Sequence, residues 1–220
     1  MSLEIFTVIA KAFSNGGIWM WAILAVQAVS IAIIIERVVS LFVLRSPHQK
    51  KLVDRLENNI KKGELNKVIQ KSHSFGIKNP IAFVAKAGAE AAKDHGGADE
   101  IQARMDEVLI NENNLLEKRT GYLSMLGNVG TLLGLLGTIV GLIKAFSSIA
   151  NANPIEKAEM LSTGISMAMN TTAYGLIMAI PALVMFSILQ SRSNTLAEDL
   201  NQGSLKLYNL LRFRLDKVKK

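Results

Sequence analysis

The chain has 220 residues, of which half are apolar, and it carries a net charge of +7. It contains no cysteine, which excludes disulfides, thiolate catalysis and cysteine metal sites. The three histidines lie far apart without metal-ligand spacing, and the basic residues are mixed with acidic ones without an aromatic platform, so we predict no metal, no other cofactor and no nucleic-acid partner.

The first predicted element is a transmembrane helix at residues 18–44. The apolar run from Ile18 to Ile35 is interrupted only by Gln27 and Ser30 and is long enough to cross a bilayer. A signal peptide is the alternative, but the run exceeds the usual ~7–15 residues and no small-residue cleavage site follows it. Residues 1–17 are predicted to be a periplasmic segment, for which an interfacial helix is one interpretation.

A charged pair, Glu36 and Arg37, lies near the inner end of this span. We predict that the two residues form an ion pair at an interface, either within the chain or between subunits. An interfacial anchor, in which the long Arg37 side chain reaches the membrane surface, is the alternative.

Residues 45–120 are predicted to form a cytoplasmic helical region. Leu52, Leu56 and Ile60 recur every four residues, as expected for an amphipathic helix. A further helix is predicted after Gly96 and Gly97, and we expect it to run without a break into the second span. Its charged residues are expected to form a solvated face: Asp106, Glu107, Glu112, Glu117, Lys118 and Arg119.

The second and third transmembrane helices are predicted at residues 121–150 and 160–190. A short periplasmic loop, 151–159, contains Asn and Pro and is expected to join the two spans as an antiparallel hairpin. The third apolar run contains no charged residue, and leucines recur on one side of the sequence that follows it. We therefore expect this span to continue into a C-terminal helix, 191–220, as one long helix.

The distribution of Lys and Arg predicts the orientation. Residues 45–119 hold fourteen of them and the tail from Arg192 holds seven, whereas Lys11 and Lys157 are the only ones in the N-terminal segment and the hairpin loop. Positive residues remain on the cytoplasmic side. We therefore predict a multi-pass protein of the bacterial inner membrane with a periplasmic N-terminus and a cytoplasmic C-terminus.

Small residues line one face of each of the last two spans. In the second span, glycines at spacings of three and four form a stripe that favours close helix packing: Gly127, Gly130, Gly134, Gly137 and Gly141. The third span offers a similar face: Gly164, Ala168, Thr171 or Thr172, Gly175 and Ala179. Because two such faces are not easily satisfied within one chain, we expect a homo-oligomer. Pro181 in the third span is interpreted as a transmembrane proline that can kink its helix.

The polar residues of these spans are few. Thr138 and the consecutive Asn170, Thr171 and Thr172 are predicted to line a wet path for protons, although a hydroxyl in a helix often bonds only its own backbone. Within the two spans there is no Asp, Glu, His or Arg, and the only charged residue is Lys144 near the outer end. If protons cross here, the carboxylate that carries them must belong to another polypeptide.

Two segments resemble the signature of the MotA/TolQ/ExbB proton channel family. They are GLLGTIVGLIKAF, which begins at Gly134, and GISMAMNTTAYGLIMAIPA, which begins at Gly164. The order and length of the remaining segments resemble the ExbB and TolQ branch, as does the position of the Glu36 and Arg37 pair. The resemblance covers the whole chain.

The resemblance implies a pentamer whose second and third helices surround the transmembrane helices of a dimeric partner. That partner would be an ExbD/TolR-like single-span protein with an intramembrane Asp, and the ring would otherwise contact membrane lipid. By position, Thr138 and Thr172 match the family threonines that are thought to face this Asp. Pro181 matches the family proline. One departure is Met167, which stands where ExbB and TolQ proteins have a glutamate.

The sequence therefore predicts an all-α integral membrane protein that acts as a stator subunit of a proton-driven motor. The Met167 departure leaves the transported ion and the envelope pathway open. A non-conducting membrane scaffold and a sodium-coupled stator are the alternatives, the latter because hydroxyl and carbonyl oxygens suit a hard cation. No nucleophile and base pair or phosphate-binding loop is found, so an enzyme is not expected.

Overall fold

The computed structural model describes residues 17–45, 49–75, 79–94, 96–148 and 153–218, and every regular element in these ranges is a helix. A six-residue π-helical segment, Val39–Leu44, continues the first helix. The all-α prediction is confirmed for the described residues, and the predicted segment 1–17 lies outside them except for Gly17. We number the helices as follows: α1 (Ile18–Val38), α2 (Gln49–Lys62), α3 (Leu65–Ser74), α4 (Pro80–Lys93), α5 (Ala98–Glu117), α6 (Thr120–Ser148) and α7 (Pro154–Val218).

Three helical stretches of the described chain are long and apolar enough to cross a membrane. They lie within Ile18–Leu44, Ala98–Ser148 and Glu156–Lys217, and an 18-residue window in each has a mean hydropathy of 2.3, 1.9 and 2.0, respectively. These stretches contain the three predicted spans, except that residues 149–150 of the second lie outside the described residues. The prediction of three membrane-crossing helices is therefore confirmed at the level of length and composition.

The chain divides into two compact units. The first contains the described residues of Met1–Ile35 together with Arg119–Ile188, and the second contains Glu36–Lys118 together with the described residues of Leu189–Lys220. Large apolar side chains remain exposed in the first unit, such as Leu132 (62%), Ile143 (61%) and Ile177 (61%). Large exposed apolar side chains of this kind are suited to contact with lipid rather than with water.

The second unit has a core of its own. Its buried side chains come from helices α2 to α5 and from the C-terminal part of α7. They include Leu56, Ile60, Ile81, Ile101, Leu200 and Leu207. The four-residue repeat that predicted α2 therefore marks its buried face. The C-terminal leucines of α7 pack in the same way, since Leu196 and Leu211 are also buried.

The boundary between α5 and α6 corrects one prediction. We expected a single continuous helix, but α5 ends at Glu117 and Arg119 adopts a left-handed backbone with φ 62° before α6 begins at Thr120. A left-handed arginine costs about 1–2 kcal/mol and ends the helical hydrogen bonding. The left-handed position is an arginine, and the nearby Gly121 lies inside α6, so the sequence does not mark the break at Arg119.

Helix α7 is continuous from Pro154 to Val218, which agrees with the expected long helix. It passes through Pro181 without a break. It also begins inside the predicted loop 151–159, because Pro suits the first position of a helix and an acid, Glu156, lies in the first turn. The Glu156 carboxylate accepts a hydrogen bond from the backbone N–H of Asn153 at 3.3 Å.

Candidate functional site

The glycine stripe of α6 packs directly on the small face of α7 within the same chain. All five stripe glycines are buried. A Cβ atom on Gly134 would lie 3.2 Å from the Thr171 carbonyl oxygen, and one on Gly141 would lie 3.2 Å from the Cβ of Ala168. A Cβ atom on Gly175 would lie 2.8 Å from the carbonyl oxygen of Gly130. The two backbones are therefore in contact, and at Gly175 a larger residue would force them apart.

The remaining small residues complete this contact. Cβ atoms on the stripe glycines would meet the side chains of α7: Gly127 would meet Leu183, Gly130 would meet Met178, and Gly137 would meet Thr171. From α7, a Cβ atom on Gly164 would meet Ala145 of α6. Our expectation that one chain cannot easily satisfy both small faces is wrong, because the hairpin pairs them with each other. The small faces therefore give no argument for a second copy.

Two hydroxyl groups meet at the centre of this hairpin. Thr138 Oγ1 and Thr172 Oγ1 form a hydrogen bond, so the structure brings together the two threonines that the sequence singled out. Thr138 Oγ1 also lies 3.1 Å from the Gly134 carbonyl oxygen and 3.3 Å from that of Ala168. Thr172 Oγ1 lies 3.2 Å from the Gly134 carbonyl oxygen. Both threonines are half-buried.

This arrangement fixes what the two hydroxyls can offer. Each hydroxyl has one hydrogen to donate and two lone pairs to accept with. One of the two hydrogens lies in the bond between Thr138 and Thr172, and the other is directed to a backbone carbonyl. Both donors are therefore in use, while lone pairs remain. The pair can accept a hydrogen bond from a neutral acid, but it can donate to a carboxylate only after it releases a backbone carbonyl.

Thr171 and Asn170 are placed differently from this pair. The Thr171 hydroxyl donates within its own helix, 2.8 Å from the Ala168 carbonyl oxygen, and the residue is fully buried against Gly137. This placement corresponds to the backbone-bonded alternative. Asn170 is half-buried on α7, and its side chain makes no hydrogen bond with the described residues.

A cavity of about 460 Å³ lies between α6 and α7 at their hairpin ends. Lys144, Glu156 and Glu159 contribute the charged part of its lining. At its other end it is lined by Gly141 and Met167. Gly141 packs on Ala168, whose carbonyl oxygen lies near the Thr138 hydroxyl. The cavity thus ends about one helical turn from the hydroxyl pair.

Sequence reasoning missed two contacts of α1 in the first unit. Tyr174 Oη donates a hydrogen bond to Gln27 Oε1, which links α1 to α7. The only signal was the presence of two polar side chains in otherwise apolar runs. In addition, the Met167 side chain occupies the space that a Cβ atom on Gly17 would need, and Gly17 has φ +67°. Met167 therefore packs against the start of α1.

The predicted Glu36 and Arg37 pair lies in the second unit. Arg37 is 2% exposed, and its guanidinium donates to the carbonyl oxygens of Leu115, at 3.5 Å, and of Leu116. These carbonyls belong to the last turn of α5, which has no basic residue of its own. Arg37 thus satisfies carbonyls that the end of α5 leaves open. Glu36 is exposed.

A buried ion pair corrects another expectation. Arg45 Nη1 donates to Glu112 Oε2 at 2.7 Å, and each side chain is 10% exposed. We expected Glu112 on a solvated face, which is wrong. The buried residues of α5 recur at spacings of four, seven and four, which places Glu112 among them: Ile101, Met105, Glu112 and Leu116. Its partner lies 67 residues earlier in the sequence, where no local pattern indicates it.

Comparison with known proteins identifies a family for the region that contains the packed faces of α6 and α7. The sequence model described as the MotA/TolQ/ExbB proton channel family matches residues 76–202, which is more than half of the chain. The match contains the glycine stripe, the small face of α7 and both hydroxyls of the central pair. A comparison with curated proteins finds no match.

Proposed function

The chain belongs to the MotA/TolQ/ExbB proton channel family, and from this premise we propose that it is an ExbB/TolQ-like stator subunit of a proton-driven motor. In this proposal it forms a ring in the bacterial inner membrane, five copies by analogy with the family. The ring surrounds an ExbD/TolR-like partner that carries an intramembrane Asp. The work done is transport across, or movement within, the cell envelope.

The observation that carries the proposal is the Thr138 and Thr172 pair. It is half-buried, has unused lone pairs, and lies about one turn from a cavity that contains charged side chains. Across Met160–Leu189 and across α6 the sequence contains no acid or histidine. A proton path at this pair therefore requires a carboxyl group from a partner.

The proposed step is electrostatic and involves no covalent chemistry. A protonated partner carboxyl donates a hydrogen bond to the lone pairs of the threonine hydroxyls. Because the protonated carboxyl is neutral, the partner helix avoids the cost of a buried charge and can move past one subunit. The carboxyl then releases its proton toward the cytoplasmic side, and the membrane potential supplies about 2.3 kcal/mol per charge per 100 mV.

The proposed topology follows the distribution of positive charge. Lys and Arg are concentrated in residues 45–119 and in the tail from Arg192. We assign these regions to the cytoplasm and the α6–α7 turn to the periplasm. The cavity near Lys144 then opens toward the periplasm, where protons enter.

Two alternatives have specific support. Four oxygens gather at the hydroxyl pair, from Thr138, Thr172, Gly134 and Ala168, and oxygen ligands of this kind also suit a hard cation such as sodium. A non-conducting scaffold is supported by the internal bonding of the same hydroxyls. Flux that follows a sodium gradient and survives a protonophore would select the first alternative.

The test is proton flux in cells that co-express this chain with its single-span partner. Thr138→Val and Thr172→Val remove a hydroxyl at nearly constant volume, and we expect each to abolish flux while the complex still assembles. Thr131→Val is the matched control, because Thr131 is exposed on the same helix and bonds only the Gly127 carbonyl at 3.2 Å. Full flux in both pair variants would contradict the proposal.

A further inference from the structure

A cavity of about 490 Å³ in the second unit lies beside the turn between α2 and α3 and beside the ends of α4 and α7. Three cationic side chains from different helices line it: Lys67 of α3, Lys93 of α4 and Arg214 of α7. Leu65 and Leu211, both buried, form apolar parts of its wall. We propose that this cavity binds the phosphate group of a ligand, at a site separate from the ion path.

The turn at Gly63 is shaped to admit the arginine. Gly63 has φ +83°, a conformation that other residues adopt only with strain. A Cβ atom at this position would lie 2.7 Å from Nη2 of Arg214 and 3.1 Å from its Cζ. The backbone angle therefore favours glycine, and the absent side chain leaves the space that the guanidinium occupies. The half-buried Arg214 is held against the turn at the cavity wall.

The charges in the cavity are not balanced internally. Arg214 and Lys93 make no hydrogen bond or ion pair with the residues that the structure describes. Lys67 pairs with Glu64 at 2.8 Å, and this hydrogen bond lowers the pKa of Glu64, which stabilises its carboxylate form further. The lining thus has three cations and one carboxylate, an excess of two positive charges.

A phosphate group suits this excess. The planar guanidinium fork binds two phosphate oxygens at once, and the lysines add point charges. A phosphate near neutral pH carries between one and two negative charges, which matches the unbalanced cations. The cavity volume lies within the range of small-molecule sites.

The phosphate could belong to a soluble compound or to a lipid headgroup. Arg214 follows Leu189 by twenty-five residues in the continuous helix α7, which corresponds to roughly 38 Å along the axis. On the proposed topology, Leu189 lies near the cytoplasmic membrane surface. That choice of source rests on the proposed function, and it favours a soluble compound.

The test uses the full-length protein in phosphatidylcholine nanodiscs, with inorganic pyrophosphate as the probe and titration calorimetry as the readout. We expect saturable binding that Arg214→Gln and Lys93→Gln each weaken by about tenfold. Arg212→Gln is the matched control, because Arg212 is exposed on the same helix and does not line the cavity. It should leave binding unchanged. Lys93 is exposed, so its variant keeps the test valid even where Arg214→Gln does not fold.

Nanodiscs that contain phosphatidylglycerol separate the two sources. Equal pyrophosphate binding in both nanodiscs supports a soluble ligand, and displacement of pyrophosphate by the anionic lipid supports a headgroup. Absence of saturable pyrophosphate binding in phosphatidylcholine would overturn the phosphate site. Equal weakening by Arg212→Gln would overturn it as well, because it would indicate a general charge effect. Neither result would affect the proton-flux test of the threonine pair.

Discussion

At the scale of single residues, the hydroxyl pair is the reason to expect that removing one hydroxyl from the apolar hairpin abolishes proton flux. Thr138 and Thr172 hold their two hydrogens within the hairpin and present lone pairs. Thr138→Ser keeps the hydroxyl and removes one methyl group. We therefore expect this variant to retain most of the proton flux that Thr138→Val loses, and flux assays on the two variants side by side measure the difference. Equal loss in both would assign the role of Thr138 to its methyl group and its packing.

Arg37 is a second residue whose contacts can be tested by substitution. Arg37→Met leaves the Leu115 and Leu116 carbonyls without their charged donor, and hydrogen bonds to charged groups contribute about 1.5–3 kcal/mol. We expect a lower thermal unfolding midpoint in detergent. Arg55→Met, at an exposed position of α2, is the control and should leave the midpoint unchanged. If Arg55→Met lowers the unfolding midpoint as much as Arg37→Met does, the loss of stability does not come from the bonds of Arg37 to the Leu115 and Leu116 carbonyls.

At the scale of elements, the hairpin depends on the close contact of α6 and α7. Gly175→Ala places a Cβ atom 2.8 Å from the Gly130 carbonyl oxygen and 3.0 Å from the Gly134 Cα, so the two backbones must separate. Gly121→Ala meets no atom within 4 Å and adds helix propensity of up to about 1 kcal/mol. We expect Gly175→Ala to lower the melting temperature and to impair flux, whereas Gly121→Ala should maintain or raise stability. Circular dichroism melts of the two variants compare them directly, and equal stability would contradict the packing argument.

The helices and their contacts also show which structural features could be predicted from the sequence alone. Apolar length predicts the spans, the three and four spacing predicts the face of α6 that packs, and leucine recurrence predicts the buried side of α7. The break at Arg119 could not be predicted, because a left-handed arginine has no sequence signature. The Arg45 and Glu112 pair and the Tyr174 and Gln27 bond join distant positions, so no local pattern contains them. The hydroxyl pair was singled out by residue type and by resemblance, and its hydrogen-bond direction required coordinates.

At the scale of the whole molecule, the first claim to test is the topology. The chain has no native cysteine, so single cysteines can be introduced without background. Lys157→Cys, in the first turns of α7, should react with a membrane-impermeant maleimide on intact spheroplasts. Asp54→Cys, in α2, should react only after the membrane is permeabilised. The reverse pattern would invert the proposed orientation and would move the cavity near Lys144 to the cytoplasmic side.

The central claim is that a partner supplies the carboxyl group that is missing from α6 and from Met160–Leu189 of α7. The most direct measurement is native mass spectrometry of the protein co-purified in detergent with a co-expressed candidate partner, a single-span protein that carries an intramembrane Asp. Our account predicts one defined complex, with about five copies of this chain around two of an Asp-bearing partner, the ratio that the family implies. A stable ring that contains no partner would leave the Thr138 and Thr172 pair without a titratable group, and would contradict the motor in favour of the scaffold.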